Sequence, residues 1–443
     1  MKKTFFTALF FSLFLFLFSC QTNTVEPIQN STDENSLNKS AGNIGINIVL
    51  NTSITDDILK QLKVYGNVMD VIPEINGVRI LGKVSVLPKI QALNFVETAN
   101  PDAERDAPPV DAVPVEDFTA GLSPWNLDLI NVTDYPSSRV VEETGEGVII
   151  GVLDTGLKDS WRQYFPQERI LSDYAKSFSG GGAFGIGAIA EQPNKWEHDQ
   201  NSHGTHVTST IIGFSFYGTP IAGVAPLAKI IPVKVLNQNG SGWSSVIAEG
   251  IVYMANLKTN SFPNNPVIIN MSLGGSRLDG IEKAAIDYAI SKGVIIVASA
   301  GNRGNSGMGY PGAYQPVISC ASCGWIPGRF VSDVPDPTNT ADYYIASYSS
   351  IAKTGQDLDV TAPGDWVVGP YQLQSGKISY YYLSGTSMAS PHVAGIVALL
   401  AQKDPSITPE NAELKLESSA IFMSGIPSDA QGSGLITADK VLQ

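Results

Sequence analysis

Hydrophobic positions recur along this chain in several distinct rhythms, and each rhythm predicts a different kind of element. Two lysines precede an almost unbroken apolar run over residues 5–18. That run is shorter than the ~20 residues a membrane-spanning helix needs. Its length and basic flank predict an export signal over residues 1–19. Residues 20–43 then turn polar, rich in Asn, Ser and Thr. So polar a stretch cannot bury a core and reads as a flexible spacer.

Order resumes at residue 44. Residues 44–50 alternate toward a strand, and Ile54, Ile58, Leu62 and Tyr65 follow helical spacing. Thr55, Asp56 and Asp57 suit the start of that helix. Residues 68–72 and 78–84 read as strands, the second following the turn pair Asn76-Gly77. A short helix over 86–93 and a strand over 96–99 complete the run. This β-α-β-β-α-β order predicts a small ferredoxin-like α+β module over residues 44–102. Residues 103–121 carry Pro108, Pro109 and Pro114 among several acids and read as a linker.

From residue 122 the rhythm changes again. Residues 148–153, 267–269 and 294–298 are short, continuous apolar runs, as expected of parallel strands buried on both faces. Residues 393–402 are an apolar helix, preceded by Gly385-Thr386-Ser387-Met388-Ala389-Ser390-Pro391-His392. Ser387 therefore opens a helix, where unpaired N–H groups and the macrodipole favour a developing anion. A serine there can equally be a plain N-cap. Asp154 ends the 148–153 run, and the C-terminal end of a parallel strand is where open α/β sheets place their ligands. An aspartate there can also simply cap its turn.

The four histidines, His198, His203, His206 and His392, all lie in or beside such motifs. Imidazole titrates near neutral pH and is the natural base for a serine hydroxyl. His203 and His206 have metal-like spacing, but no Glu or Cys stands nearby at a zinc-site interval, so no metal is assigned.

Together the segments around Asp154, His203 and Ser387 resemble, in that order, the motifs of the subtilisin-like serine proteases, or subtilases. The resemblance implies a subtilisin-like three-layer α/β fold with a mostly parallel sheet over residues 122–443. It implies Ser387 as nucleophile, His203 as general base and Asp154 as the group orienting His203. His206 and His392 would be structural. Within Ser299-Ala300-Gly301-Asn302, Asn302 would donate to the oxyanion together with the Ser387 N–H. Ser272, Leu273, Gly274 and Gly275 would pair with an extended substrate. Ser299, Ala300, Gly301 and Gly309 would line an uncharged primary pocket suited to large apolar side chains. Residues 44–102 would be an inhibitory propeptide whose tail lies in the active site. The chain would thus be a zymogen that Ser387 itself cuts within 103–121. Leu17-Phe18-Ser19-Cys20 resembles a bacterial lipobox, implying lipid on Cys20 and an exported, envelope-bound or secreted enzyme.

Composition narrows the partners. Forty-two acidic against 28 basic residues leave a net charge of −14, which argues against nucleic acid as a partner, since phosphates need a basic surface. Peptide or protein substrates and the chain's own propeptide remain as partners, with a membrane reached only through lipid. The chemistry requires no cofactor. A structural calcium stays open, although residues 213–223 show no evident oxygen ligands. Residues 180–196 and 324–344 are expected to be surface insertions. Cys320 and Cys323 follow a predicted strand over residues 317–319; three apart on a strand is a poor geometry for a disulfide unless a turn intervenes, so buried thiols are favoured and a local disulfide stays open. The contrasting class is a subtilase-like scaffold that has lost activity, yet Asp154, His203, Ser387 and Asn302 are all present.

Overall fold

The computed structural model describes residues 42–115, 124–135, 138–182, 187–328, 333–334, 338–372 and 379–443. The export signal, Cys20, most of the spacer and the linker beyond residue 115 lie outside the described residues. Among the described residues no helix is long and apolar enough to cross a membrane.

The first ordered region is a four-stranded antiparallel sheet with two helices. Its strands are β1 (Asn43–Leu50), β2 (Gly66–Ile72), β3 (Gly77–Lys83) and β4 (Val96–Pro101), in the order β2-β3-β1-β4. Helices α1 (Asp56–Leu62) and α2 (Leu87–Gln91) complete the β-α-β-β-α-β order. Thr55 caps α1 by accepting from the Ile58 N–H. Asn76 sits in the left-handed region (φ 51°) at the Asn-Gly turn. On β1, Ile44, Ile46, Ile48 and Leu50 share one face with Leu62, Val78, Ile80 and Ile90. The opposite face carries Gly45, Asn47 and Val49, and all three meet the larger body. The Gly45 N–H donates to the Gly182 carbonyl, Asn47 donates to Asp279, and Val49 joins that body's core.

The larger body is built on a mixed, mostly parallel sheet. Its parallel core comprises β7 (Ile149–Asp154), β8 (Lys176–Ser179), β10 (Lys229–Lys234), β12 (Val267–Met271), β13 (Ile295–Ser299), β14 (Ile318–Trp325) and β16 (Val360–Pro363). Two short antiparallel strands, β9 (Ala190–Glu191) and β15 (Tyr343–Ile345), pair beyond β8 and beside β14. Alternate residues of one strand serve different cores, because side chains on a strand point to opposite faces. Ile150 and Val152 pack with helices α4 (His203–Ile212) and α7 (Thr386–Lys403). Ile149 and Leu153 pack with α5 (Ser244–Asn260) and α6 (Gly280–Ser291). Helix, sheet and helix thus form three layers.

Two expectations change in detail. The linker is not loose over its first half. Residues 104–106 form β5, which pairs with β11 (Ser241–Trp243), and residues 111–114 form β6, which pairs with β18 (Ser379–Ser384). Arg105 and Ala107 are buried there. The region 180–196 is not merely a surface loop, because Gly182 bonds both Gly45 and Asp102. Residues 214–216 and 219–221 form a short hairpin. Cys320 and Cys323 are buried free thiols on β14, and burial pushes both pKa values up.

Candidate active site

Adjacent parallel strands end on one edge of a sheet, and this brings scattered sequence segments together. Strands β7, β12 and β13 are consecutive neighbours. Asp154 is the last residue of β7, Ser272 follows β12, and Ser299 ends β13. His203 and Ser387 enter from the first turns of α4 and α7, which pack on each other.

Asp154 and His203 are fully buried. Both carboxylate oxygens of Asp154 lie 2.9 Å from His203 Nδ1. An anionic acceptor there keeps the proton on Nδ1 and leaves Nε2 as the basic nitrogen. Nε2 is buried and has no hydrogen-bond partner among the described residues. The Thr155 N–H donates to Asp154 Oδ1 at 2.6 Å. Buried Asp199 accepts from the N–H groups of Asn201 and Ser202, shaping the turn into α4. Gly204 donates to Thr155 Oγ1, tying that turn to the end of β7.

Ser387 is 3% exposed and its Oγ donates to the Ser272 carbonyl at 3.2 Å. In return, Ser272 Oγ donates to the Ser387 carbonyl at 2.8 Å. Asn270 extends the lock, donating to Ser272 Oγ and accepting from Ser390 Oγ. Asn302 Oδ1 accepts from both the N–H and the Oγ1 of Thr386, each at 2.9 Å. That commits the carbonyl end of the amide and turns Nδ2 toward Gly385, where a Cβ would lie 3.3 Å from it. An N–H donor therefore stands over the turn that presents Ser387.

The uncharged pocket segments also converge. The Gly309 N–H donates to the Ala300 carbonyl at 2.8 Å, while Gly275 and Tyr310 exchange two bonds of 2.8 Å. A Cβ on Gly301 (φ 102°) would come within 3.2 Å of Gly309 N and Ser350 Oγ, so these two backbones approach without side chains between them.

A segment of the chain itself crosses this edge. Asp106 and Gly274 exchange backbone bonds of 3.0 and 2.9 Å, and Ala107 donates to the Gly240 carbonyl at 3.1 Å. Downstream, Val110 donates to the Ser384 carbonyl at 2.7 Å. Continuing the antiparallel register from Asp106 brings Pro108 opposite Ser272, whose carbonyl receives the Ser387 hydroxyl. Proline has no N–H to offer that carbonyl. On that extended register the bond facing Ser387 would be Pro108–Pro109, and Pro108 is exposed.

His206 and His392 serve the packing. Burial, helped by His203 nearby, pushes His206 down to about 3, and its Nε2–H donates to the Val367 carbonyl. Burial pushes His392 down to about 4, with Nδ1–H donating to Met388 and Nε2 accepting from Asn126. Both are neutral at physiological pH.

A model of the subtilase family matches residues 145–435. The chain belongs to the subtilase family. It is a serine endopeptidase. It is 33% identical over 320 residues to a thermostable alkaline protease of Halalkalibacterium halodurans, covering 72% of this chain and 73% of that one. It is 34% identical over 303 residues to subtilisin DY of Bacillus licheniformis, covering 68% and 92%. Among solved structures, sphericase superposes with a TM-score of 0.56 at 31% identity, covering 72% of this chain and 99% of that chain. Fervidolysin of Fervidobacterium pennivorans, a keratinolytic enzyme related to subtilisin, gives a TM-score of 0.65 at 24% identity. The match covers 90% of this chain and 61% of fervidolysin, and at that identity it speaks for the fold alone.

Sequence reasoning had missed the second wall of the cleft, residues 240–243, and the buried acids behind it. The Gly240-Ser241-Gly242 run just after a strand was the available signal. Nothing local marks Glu282, which sits on a helix face that reads as ordinary amphipathic surface.

Proposed function

We propose that this subtilase cuts extended peptide segments through an acyl-enzyme on Ser387. His203 Nε2 takes the Ser387 proton as Oγ attacks the carbonyl, then returns it to the leaving nitrogen. Asp154 holds the Nδ1–H tautomer and stabilises the imidazolium. The oxyanion is met by Asn302 Nδ2 and the Ser387 N–H at the start of α7. The substrate adds as a strand between residues 240–243 and residues 272–275, and its residue before the cut, preferably large and apolar, enters the space by Ala300, Gly301 and Gly309. The observation that carries this reading is the lie of residues 104–107, paired with residues 240–243 on one side and with Gly274 on the other.

The same observation supports synthesis as a zymogen. Residues 44–102 hold their tail in the cleft and shut it. Pro108–Pro109 lacks both N–H groups that a substrate would present there. Processing within 103–121 therefore requires the tail to shift, or another bond of the linker to be reached. Lipid on Cys20 would keep the exported enzyme at a membrane surface. Loss of palmitate labelling in Cys20→Ser tests that part, and persistent labelling overturns it.

A fluorophosphonate probe on the activated enzyme tests the chemistry. Labelling and casein hydrolysis should both vanish in Ser387→Ala and in His203→Ala, whose members act as a unit. Undiminished turnover in either variant rejects the assignment, as would a scaffold that takes up no probe.

A further inference from the structure

We propose that Glu282, at the start of α6, forms a subsite of the cleft that selects an arginine side chain at the fourth residue before the cleaved bond. The proposal rests on the peptidase reading above and assigns it a substrate class. The register gives the position. With Pro108 opposite Ser272, Arg105 is the fourth residue upstream of the bond at Ser387, and it pairs with Gly242 on one wall.

The side chain of Arg105 is not in solvent. It is 1% exposed, and Glu282 is fully buried. Nε lies 3.2 Å from both carboxylate oxygens of Glu282, and Nη2 lies 2.5 Å from Oε2. Nη2 also donates to the Arg277 carbonyl at 3.0 Å, and Nη1 to the Glu104 carbonyl at 3.0 Å. This is the planar, two-armed grip that a guanidinium makes and an ammonium cannot. The wall is shaped to admit it. A Cβ on Gly275 would come within 2.6 Å of Nη1, and within 2.5 Å of the Glu104 carbonyl that precedes the arginine.

The receptor groups, Gly242, Gly275, Arg277 and Glu282, all belong to the protease body. They remain when residues 44–115 leave. A second acid, Asp279, lies close by, and Arg105 is the cation that acts on Glu282. Once the tail departs, Glu282 faces the cleft without Arg105, and any peptide side chain that refills the space buries the carboxylate again. With the tail in place burial pushes the Glu282 carboxyl up and the Arg105 guanidinium offsets part of that push. An incoming peptide restores the balance only if it brings a positive charge at that position. An apolar side chain there fills the space but strands the carboxylate.

The test uses the full-length chain after its activity has appeared. Initial rates are measured on four fluorogenic peptides, X-Asp-Ala-Phe-aminomethylcoumarin, with X as Arg, Lys, citrulline or Leu. Citrulline keeps the shape of arginine and removes the charge. The Arg peptide should exceed the citrulline and Leu peptides by on the order of 10²-fold in kcat/KM, with Lys between. Glu282→Leu should reverse the order, favouring Leu over Arg, and Glu282→Gln should bring Arg and citrulline together. Should either variant fail to fold, the four peptides on the unmodified chain decide alone. Equal rates for Arg, citrulline and Leu, with casein still digested, overturn the subsite and leave the peptidase standing. Failure to cut any peptide or casein, with no fluorophosphonate labelling, overturns the peptidase reading and the subsite with it.

Discussion

Replacing Arg105 by Met should release the inhibitory tail, and the size of the effect follows from the burial of its partner. Glu282 is fully buried and Arg105 is 1% exposed. Removing one member of such a pair costs about 3–5 kcal/mol, because the other is stranded in a place that water cannot reach. The loss has a ceiling, since Glu282 can take up a proton instead. At pH 7, neutralising a glutamate of ordinary pKa 4.5 costs about 3.4 kcal/mol, at 1.36 kcal/mol per unit. The tail should therefore bind roughly 300-fold more weakly at pH 7. The penalty should shrink about tenfold for each pH unit below that, and fade near pH 4.5. The assay is the activity of freshly purified, uncut chain on a small peptide ester from pH 5 to pH 8. Arg105→Met should show high initial activity at neutral pH, while the parent shows a lag. The double variant Arg105→Met/Glu282→Leu removes the stranded charge and should recover most of the inhibition. Two results would refute the reasoning: unchanged inhibition in Arg105→Met at pH 7, or a double variant no better inhibited than the single.

Three further outcomes are expected. Asn302→Ala should lower kcat by about 10²–10³-fold with little change in KM, the scale known for such a donor in a subtilisin and carried over here; an unchanged kcat would place the oxyanion elsewhere. Gly309→Val should shift preference from Phe toward Ala before the cut, because a Cβ there meets Gly275 O at 3.4 Å and fits without moving backbone, so that its bulk fills the pocket; a peptide-library digest checks this, and an undiminished Phe preference counts against the pocket. The share of stability that rests on His206 and His392 should be full above pH 6.5 and fall as acid is added, since they are pushed down to about 3 and about 4 and the unfolded chain takes protons first. At 1.36 kcal/mol per unit they contribute about 5 and about 3 kcal/mol to that loss; in urea titrations His392→Gln should flatten the acid limb, and an unchanged limb counts against its share.

The strand rhythm and the motif order were legible in the sequence because both are local. The apolar runs that end at Asp154, Ser272 and Ser299 needed only their neighbours to be read as buried parallel strands. Their shared edge follows from parallel pairing, so the placing of Asp154, Ser272 and Ser299 side by side could be expected before any coordinate was seen. The ferredoxin-like order of residues 44–102 was equally local, written in the alternation of Ile44, Ile46 and Ile48 and in the Asn76-Gly77 turn. The linker was misread for a physical reason. Residues 103–115 are polar and proline-bearing, and alone they bury nothing. Arg105 and Ala107 become buried only because another part of the chain supplies the walls. Glu282 has no local mark in the sequence for the same reason. Whether a carboxylate faces water or a guanidinium depends on what is packed against it, and residues 105 and 282 are brought together by the tertiary structure alone.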